Sequence, residues 1–199
     1  MPVPPNVKSF KNRTAEFYYK WDFPLPVGSV DEKHIRIKSA SKSGSMFYND
    51  KQVFSIILLA VADAKYRFLL VDVGAYGKDS DGGVLSNSSI YKNLKSATSK
   101  LSVERKFPNS ELKPPFVFVG DEAFPLRSYP MRLFPRSQLN IKFKLSPSRA
   151  RKVVECSFGI MSAKFPILLK AIETKVENAV YFVKAITMLH NILIDMEGY

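Results

Sequence analysis

The sequence predicts an α/β fold, a mixed β-sheet flanked by α-helices, and three observations predict it. Two nearly continuous apolar runs, Phe54–Val61 and Tyr66–Val73, are separated only by a short break around Asp63-Ala-Lys, which implies an antiparallel pair. A helical stretch then separates them from a further short apolar run, Pro115–Gly120, so the chain crosses over before adding another strand. Two helix-period patterns close the sequence.

The elements follow in order. Residues 1–20 form a Pro-rich lead-in that turns helical from Thr14 to Lys20, and residues 21–199 are expected to form the domain proper. Trp21-Asp-Phe-Pro-Leu-Pro-Val-Gly reads as a turn-rich entry. Ser29–Lys38 alternates in part and is rich in β-branched residues, which predicts a strand. Ser39–Ser45 is a loop, and the two apolar runs that follow suit strands buried on both faces. After the glycine-rich loop from Gly74 comes a helix over Ser86–Ser96, then a polar, Pro-punctuated loop over 97–114. Pro115–Gly120 is the next strand, and 124–147, with its prolines, reads as irregular. Arg149–Lys164 is a helix, with Ala150, Val154, Phe158, Met161 and Phe165 at spacings of four and three. Pro166 should break it, and a longer helix runs from Leu168 to Ile194 with Val176, Ala179, Val183 and Ile186 on one stripe.

At 199 residues, 46% hydrophobic, the chain can bury one good core. A formal charge of +12 points to a polyanionic partner, nucleic acid ahead of a membrane surface. A generally basic solvated surface is the plainer reading of that charge. Cys156 is the lone cysteine, so no intramolecular disulfide is possible and a reducing compartment fits. No apolar run approaches the roughly 18 residues of a membrane span, and the N-terminus lacks the apolar core of a signal peptide. A soluble, intracellular protein with no membrane partner is expected, and no basic cluster marks a nuclear import signal.

Three acids have settings that suit chemistry. Asp31 lies in a strand start, Asp121 ends the run Phe-Val-Phe-Val-Gly-Asp, and Glu155 sits in a basic helix. Such carboxylates, brought to one point, could hold two divalent cations about 3.5–4 Å apart on a nucleic-acid phosphate. Mg²⁺ keeps waters or phosphate oxygens, so three acids are enough. Each acid has a bland alternative: a turn aspartate for Asp121, an exposed acid beside Lys33 for Asp31, and an ion pair with Arg151 for Glu155. Gly159, one turn beyond Glu155, leaves space above it. Lys142, Lys144, Arg149, Arg151 and Lys152 precede Glu155 and would line the approach of DNA, or simply form a solvated face.

Other motifs are weaker. Asp79 and Asp81 lack the third acid and distal glutamate of a calcium loop, so a turn or a helix cap is expected of them. His190 reads as a core histidine and His34 as structural. The sequence contains no glycine-rich phosphate loop and no zinc-ligand pairs.

Several segments together resemble the nuclease domain of Harbinger-type DDE transposases and of host nucleases derived from them. These are Gly28-Ser-Val-Asp-Glu-Lys-His-Ile-Arg-Ile, Ser43-Gly-Ser-Met-Phe-Tyr-Asn, Val71-Asp-Val-Gly-Ala-Tyr-Gly-Lys-Asp-Ser-Asp-Gly and Val119-Gly-Asp-Glu-Ala-Phe-Pro-Leu. Leu145–Gly159 and Leu189-His-Asn-Ile-Leu complete the set, in family order over roughly residues 15 to 195. The resemblance implies an RNase H-like fold and a triad of Asp31, Asp121 and Glu155 binding Mg²⁺ or Mn²⁺. It also implies DNA as substrate, a Myb-like DNA-binding partner protein and a nuclear location; a homo-oligomer is compatible with it. The sequence departs from the family pattern at Glu32, where Asp-Gly-Lys-His is usual, and at Pro26 and Asp50, where cysteine and tyrosine are common. Glu32 is expected to crowd Asp31 or to compete for its metal. The N-terminal helix-turn-helix region of full-length relatives is expected to be largely absent.

The first expectation is therefore a metal-dependent DNA endonuclease of transposase type. The second is a catalytically impaired, host-adopted DNA- or protein-binding descendant, and the third an unrelated basic nucleic-acid-binding protein whose acids are surface residues.

Overall fold

The computed structural model describes residues 7–23, 26–39, 45–92, 117–120 and 145–198. Helix α1 (Val7–Trp21) leads into strand β1 (Pro26–Arg36), followed by β2 (Ser55–Ala62) and β3 (Phe68–Tyr76). A short helix α2 (Asp81–Asn87) precedes β4 (Val117–Val119), and two long helices, α3 (Leu145–Lys164) and α4 (Val176–Glu197), follow. The sheet order is β3-β2-β1-β4. β2 is antiparallel to both neighbours, whereas β4 runs parallel to β1. This is the mixed, helix-flanked α/β sheet that the sequence predicts, consistent with an RNase H-like fold.

Burial explains the order. Every residue of β2 is buried, as its unbroken apolar run requires, so it takes the centre. One face of the sheet packs under α1, α3 and α4, with Ile35, Leu58, Ala60, Val154, Phe158 and Val183 in its core. The other face, with Val30, Ile57, Val61 and Phe118, lies under α2 and contacts Val84 and Leu85. Phe17 of α1 is fully buried in the first core, so the N-terminal helix packs against the sheet.

The antiparallel β2–β3 connection is built on Asp63. Its buried carboxylate accepts from the Lys65 and Arg67 amides at 2.9 and 3.0 Å through Oδ1, and from Arg67 Nε at 2.9 Å through Oδ2. Arg67 Nη1 then donates to Asp195 Oδ1 of α4 at 3.1 Å. Asn191 completes the attachment of that helix. Its side-chain amide donates to the Phe68 carbonyl and accepts from the Phe68 amide, both at 2.8 Å.

Several boundaries differ from those the sequence suggests, each for a local reason. β1 begins at Pro26 rather than Ser29, because β4 pairs with Pro26, Gly28 and Ser29, and proline is tolerated as a first strand residue. It ends at Arg36, and Ile37 instead bridges Ile172. That bridge also divides the expected Leu168–Ile194 helix. The Ile172 amide donates to the Arg36 carbonyl at 2.9 Å and the Ile172 carbonyl accepts from Lys38 at 3.1 Å. The helical run therefore becomes a 3-10 turn (Pro166–Leu169), an extended stretch and then α4. α2 starts at Asp81 rather than Ser86, capped by Ser80, whose hydroxyl accepts from the Gly83 amide. A break at Ser88 precedes the helical residues 89–92, where Asp72 Oδ2 accepts from the Ser89 amide at 2.5 Å. α3 starts at Leu145 rather than Arg149, with Pro147 in its first turn, where no helical amide bond is lost. The expected loop over 97–114 and residues 124–144 of the expected irregular stretch lie outside the described residues.

By length and composition α4 could cross a membrane, contrary to the expectation that no segment approaches such a span. Its Ala179, Val183, Ile186 and His190 are nevertheless buried against the sheet, which marks it as a core helix with an apolar outer side.

Candidate metal centre

Alternation along β1 sorts the residues around Asp31. Asp31 pairs with Ala60 and Lys33 with Leu58, and both partners belong to the core beneath the long helices. Glu32 and His34 pair with Leu59 and Ile57; Leu59 and Ile57 belong to the opposite core. Asp31 and Lys33 therefore share the α3 face, half-buried, and Glu32 and His34 occupy the other. This corrects the expectation that Glu32 crowds Asp31. A side chain one residue along a strand projects from the reverse side of the sheet. There Glu32 Oε1 lies 3.7 Å from His34 Nε2.

His34 is structural, as expected, though on the face away from Asp31. Its Nδ1 is 2.9 Å from Ser55 Oγ and 3.3 Å from Asn49 Nδ2, which also donates to Ser55 Oγ at 3.0 Å. His190 is a core histidine, also as expected. Its Nε2 is 2.9 Å from the Tyr66 carbonyl, an acceptor, so this nitrogen carries the proton. Burial lowers its pKa, opposed by that hydrogen bond and by Asp63. Asp79 serves a turn, accepting from the Tyr76 amide at 3.2 Å. The cap of α2 falls to Ser80 rather than to Asp81.

Ser29 links Asp31's strand to Glu155's helix. Its hydroxyl is fully buried and donates to the Arg151 carbonyl at 2.9 Å. Glu155 lies one turn further along α3, exposed, with Oε1 3.7 Å from Arg151 Nε. That pair is the ion-pair alternative anticipated for Glu155, in a loose form. A Cβ at Gly159 would meet nothing within 4 Å, so the space one turn beyond Glu155 is open. Arg149 and Lys152 are exposed on the same helix, and Arg151 is partly buried.

β4 approaches from the other side of β1. The parallel register sets Val119 opposite Ser29, and Gly28 makes the close approach possible. A Cβ there would come within 2.6 Å of Val61 Cγ1 and 3.3 Å of Phe118 Cδ1. Gly120 is the last described residue of this strand end, and Asp121 is the next along the chain. Asp121 itself, with Lys142 and Lys144, lies outside the described residues.

Among the described residues, no group of three or more His, Cys, Asp and Glu side chains is arranged to hold a metal. Asp31 and Glu155 supply hard oxygen donors on neighbouring elements, one half-buried and one solvent-facing. Such a donor set fits a cation of the Mg²⁺ or Mn²⁺ type that retains several waters. Sequence reasoning missed Ser29, the residue joining the two elements. A small polar residue two positions before Asp31, on the same strand face, was the signal available.

Residues 30–191 match the DDE superfamily endonuclease family. The chain is also 30% identical over 181 residues to "Protein ALP1-like" of Arabidopsis thaliana, an alignment covering 87% of this chain and 44% of the relative. The chain thus spans less than half the length of that relative. No solved structure matches it. The resemblance to Harbinger-type transposases drawn from the motifs stands, and the chain belongs to the DDE superfamily endonuclease family.

Proposed function

We propose that this protein is a divalent-metal-dependent DNA endonuclease of transposase type, with Asp31, Asp121 and Glu155 as the metal-holding acids. The observation that carries the reading is the meeting of three elements. β1 pairs in parallel with β4, the strand leading to Asp121, and Ser29 ties β1 to α3 one turn before Glu155. Carboxylates carried on such neighbours repel one another until cations arrive, which is the condition for a metal site.

Bound as Mg²⁺ or Mn²⁺, two ions would neutralise phosphate charge and lower the pKa of an attacking water. The protein's own residues hold and orient. Ser29 ties β1 to α3. Arg149, Arg151 and Lys152 offer cations along α3 for the DNA backbone, with Lys142 and Lys144 preceding them in sequence. A nuclear location, a Myb-like DNA-binding partner and self-association belong to the same proposal.

A catalytically impaired, host-adopted binding protein is the second reading, and one observation favours it. Glu155 is exposed and faces Arg151, as a surface ion pair would. The test is Mn²⁺-dependent nicking of supercoiled plasmid, with Asp121→Asn run beside the natural chain. Nicking that disappears in the variant supports the nuclease. DNA binding without nicking by either protein selects the second reading.

A further inference from the structure

α4 turns one side to the sheet and leaves the other uncovered. Ala179, Val183, Ile186 and His190 are buried. On the outer side Tyr181, Phe182, Met188, Leu189, Ile192 and Met196 are 47–77% exposed. Taking roughly 200 Å² for each large side chain, they present on the order of 700 Å² of mainly apolar surface to water. The largest apolar patch of a typical monomer is roughly 300–600 Å², and each partner in a standard interface buries roughly 800 Å². A patch of this size on one helix calls for a partner.

The pattern of the face indicates which partner. Tyr181, Ala185, Met188, Ile192 and Met196 recur at spacings of four, three, four and four, the seam of a helix that packs on another helix. Glu177, Lys184 and Asp195, all exposed, lie two and three turns apart and so share one edge of the seam. Phe182 and Leu189 form the other edge, which is uncharged.

A second copy of the same helix complements this face when the two run antiparallel about a two-fold axis between Met188 and Leu189. Tyr181 then lies opposite Met196 of the second copy, and the small Ala185 opposite Ile192. The two-fold also brings charged edge to charged edge. Lys184 comes within a turn of Asp195 of the second copy, and the pair occurs twice. Asp195 is steadied there by Arg67, whose Nη1 donates to its Oδ1 at 3.1 Å, and a carboxylate can accept more than one such bond. Parallel copies would instead set the charged edge against the apolar one.

We propose that the outer face of α4 is the surface on which two copies of this chain pair, helix against helix and antiparallel. The proposal stands apart from the endonuclease reading, since it gives self-association a surface whether or not the chain cleaves DNA.

The experiment is sedimentation velocity on the purified chain, with plasmid nicking measured in parallel. The chain should sediment as a dimer, and its thermal midpoint should rise with protein concentration. Met188→Glu combined with Ile192→Glu should raise the dimer dissociation constant about thirtyfold or more, with the monomer still folded because both positions are exposed. Lys184→Glu, a milder change, should raise it about tenfold by setting acid against acid twice. Tyr19→Glu, on the exposed side of α1, should leave it unchanged. Orientation is read by cross-linking in a Cys156→Ser background. Chains carrying both Tyr181→Cys and Met196→Cys should oxidise to a covalent dimer. Tyr181→Cys alone should not, because its two copies lie about 22 Å apart along antiparallel helices. Interfaces of this area bind at micromolar affinity or better, so a chain still monomeric at about 100 µM overturns the proposal. Capture of that monomer by phosphatidylserine vesicles would assign the face to a membrane surface instead. A dimer unaltered by both the glutamate pair and Lys184→Glu, or one linked through Tyr181→Cys alone, also overturns it. A monomer that nicks DNA leaves the nuclease reading standing, and a dimer that does not nick leaves the interface standing.

Discussion

Asn191→Leu tests how the long C-terminal helix is attached to the sheet. The substitution keeps the side chain's approximate size and removes two hydrogen bonds, both 2.8 Å long, to the amide and carbonyl of Phe68. Phe68 begins β3, the edge strand, and its ring is buried against Phe158 and His190. Water reaches its backbone poorly, so each group left unpaired costs about 1–3 kcal/mol. Partial solvation of this part-buried pair places the sum near the lower end, about 2–4 kcal/mol. For a domain of this size, 1 kcal/mol moves the thermal midpoint by about 2–4 °C, so a drop of at least about 4 °C is expected. Urea unfolding with an unchanged m-value gives the free energy directly. Hydrogen exchange at the Phe68 amide should accelerate beyond the global change, because its acceptor is gone. A loss below about 0.5 kcal/mol, or unchanged protection at Phe68, would show that the Asn191 hydrogen bonds contribute nothing to holding α4.

Two further outcomes follow from the geometry. Glu32→Gly should leave nicking and Mn²⁺ dependence unchanged, because Glu32 faces away from Asp31. It should also lower stability by about 1 kcal/mol, the cost of glycine inside a strand; a gain in nicking would place Glu32 at the metal centre after all. His190 has a pKa below its ordinary 6.5, so the unfolded chain binds its proton first. Stability is then full above about pH 6.5 and declines as pH falls below it, by at most about 1.4 kcal/mol per unit for one proton. Urea midpoints at pH 7.5 and 5.5 should converge in His190→Gln relative to the natural chain, and an unaltered pH dependence would refute the assignment.

The sheet was legible because its central strand is apolar on both faces, and a run such as Ser55–Ala62 has one place to go. The short link after it fixed the antiparallel pairing. Element ends were less legible, since distant partners set them. Ile172 is drawn out of a helical pattern by Arg36 and Lys38, and Pro26 is drawn into a strand by Val117. No local propensity records either event. For the candidate site, the motifs named candidate acids but not which way the neighbours of Asp31 point. That required the register of Asp31 against Ala60, which places Glu32 on the reverse face. Ser29 could be noticed from its spacing to Asp31, but its partner could not, because the acceptor is a carbonyl far along the chain.

The parallel pairing of β1 with β4 also bears on the order of folding. β2 and β3 are joined by a short turn and can zip early, whereas Pro26 and Val117 are some ninety residues apart in sequence. Closing so long a loop is slow and entropically costly, and only three residues of β4 repay it. The docked state of β4, the strand that leads to Asp121, should therefore form late and open early. Its population, rather than that of the whole fold, should set how much of the protein is competent at any moment. A ligand that binds only the closed form would shift that population, coupling the final folding step to the arrival of metal and DNA.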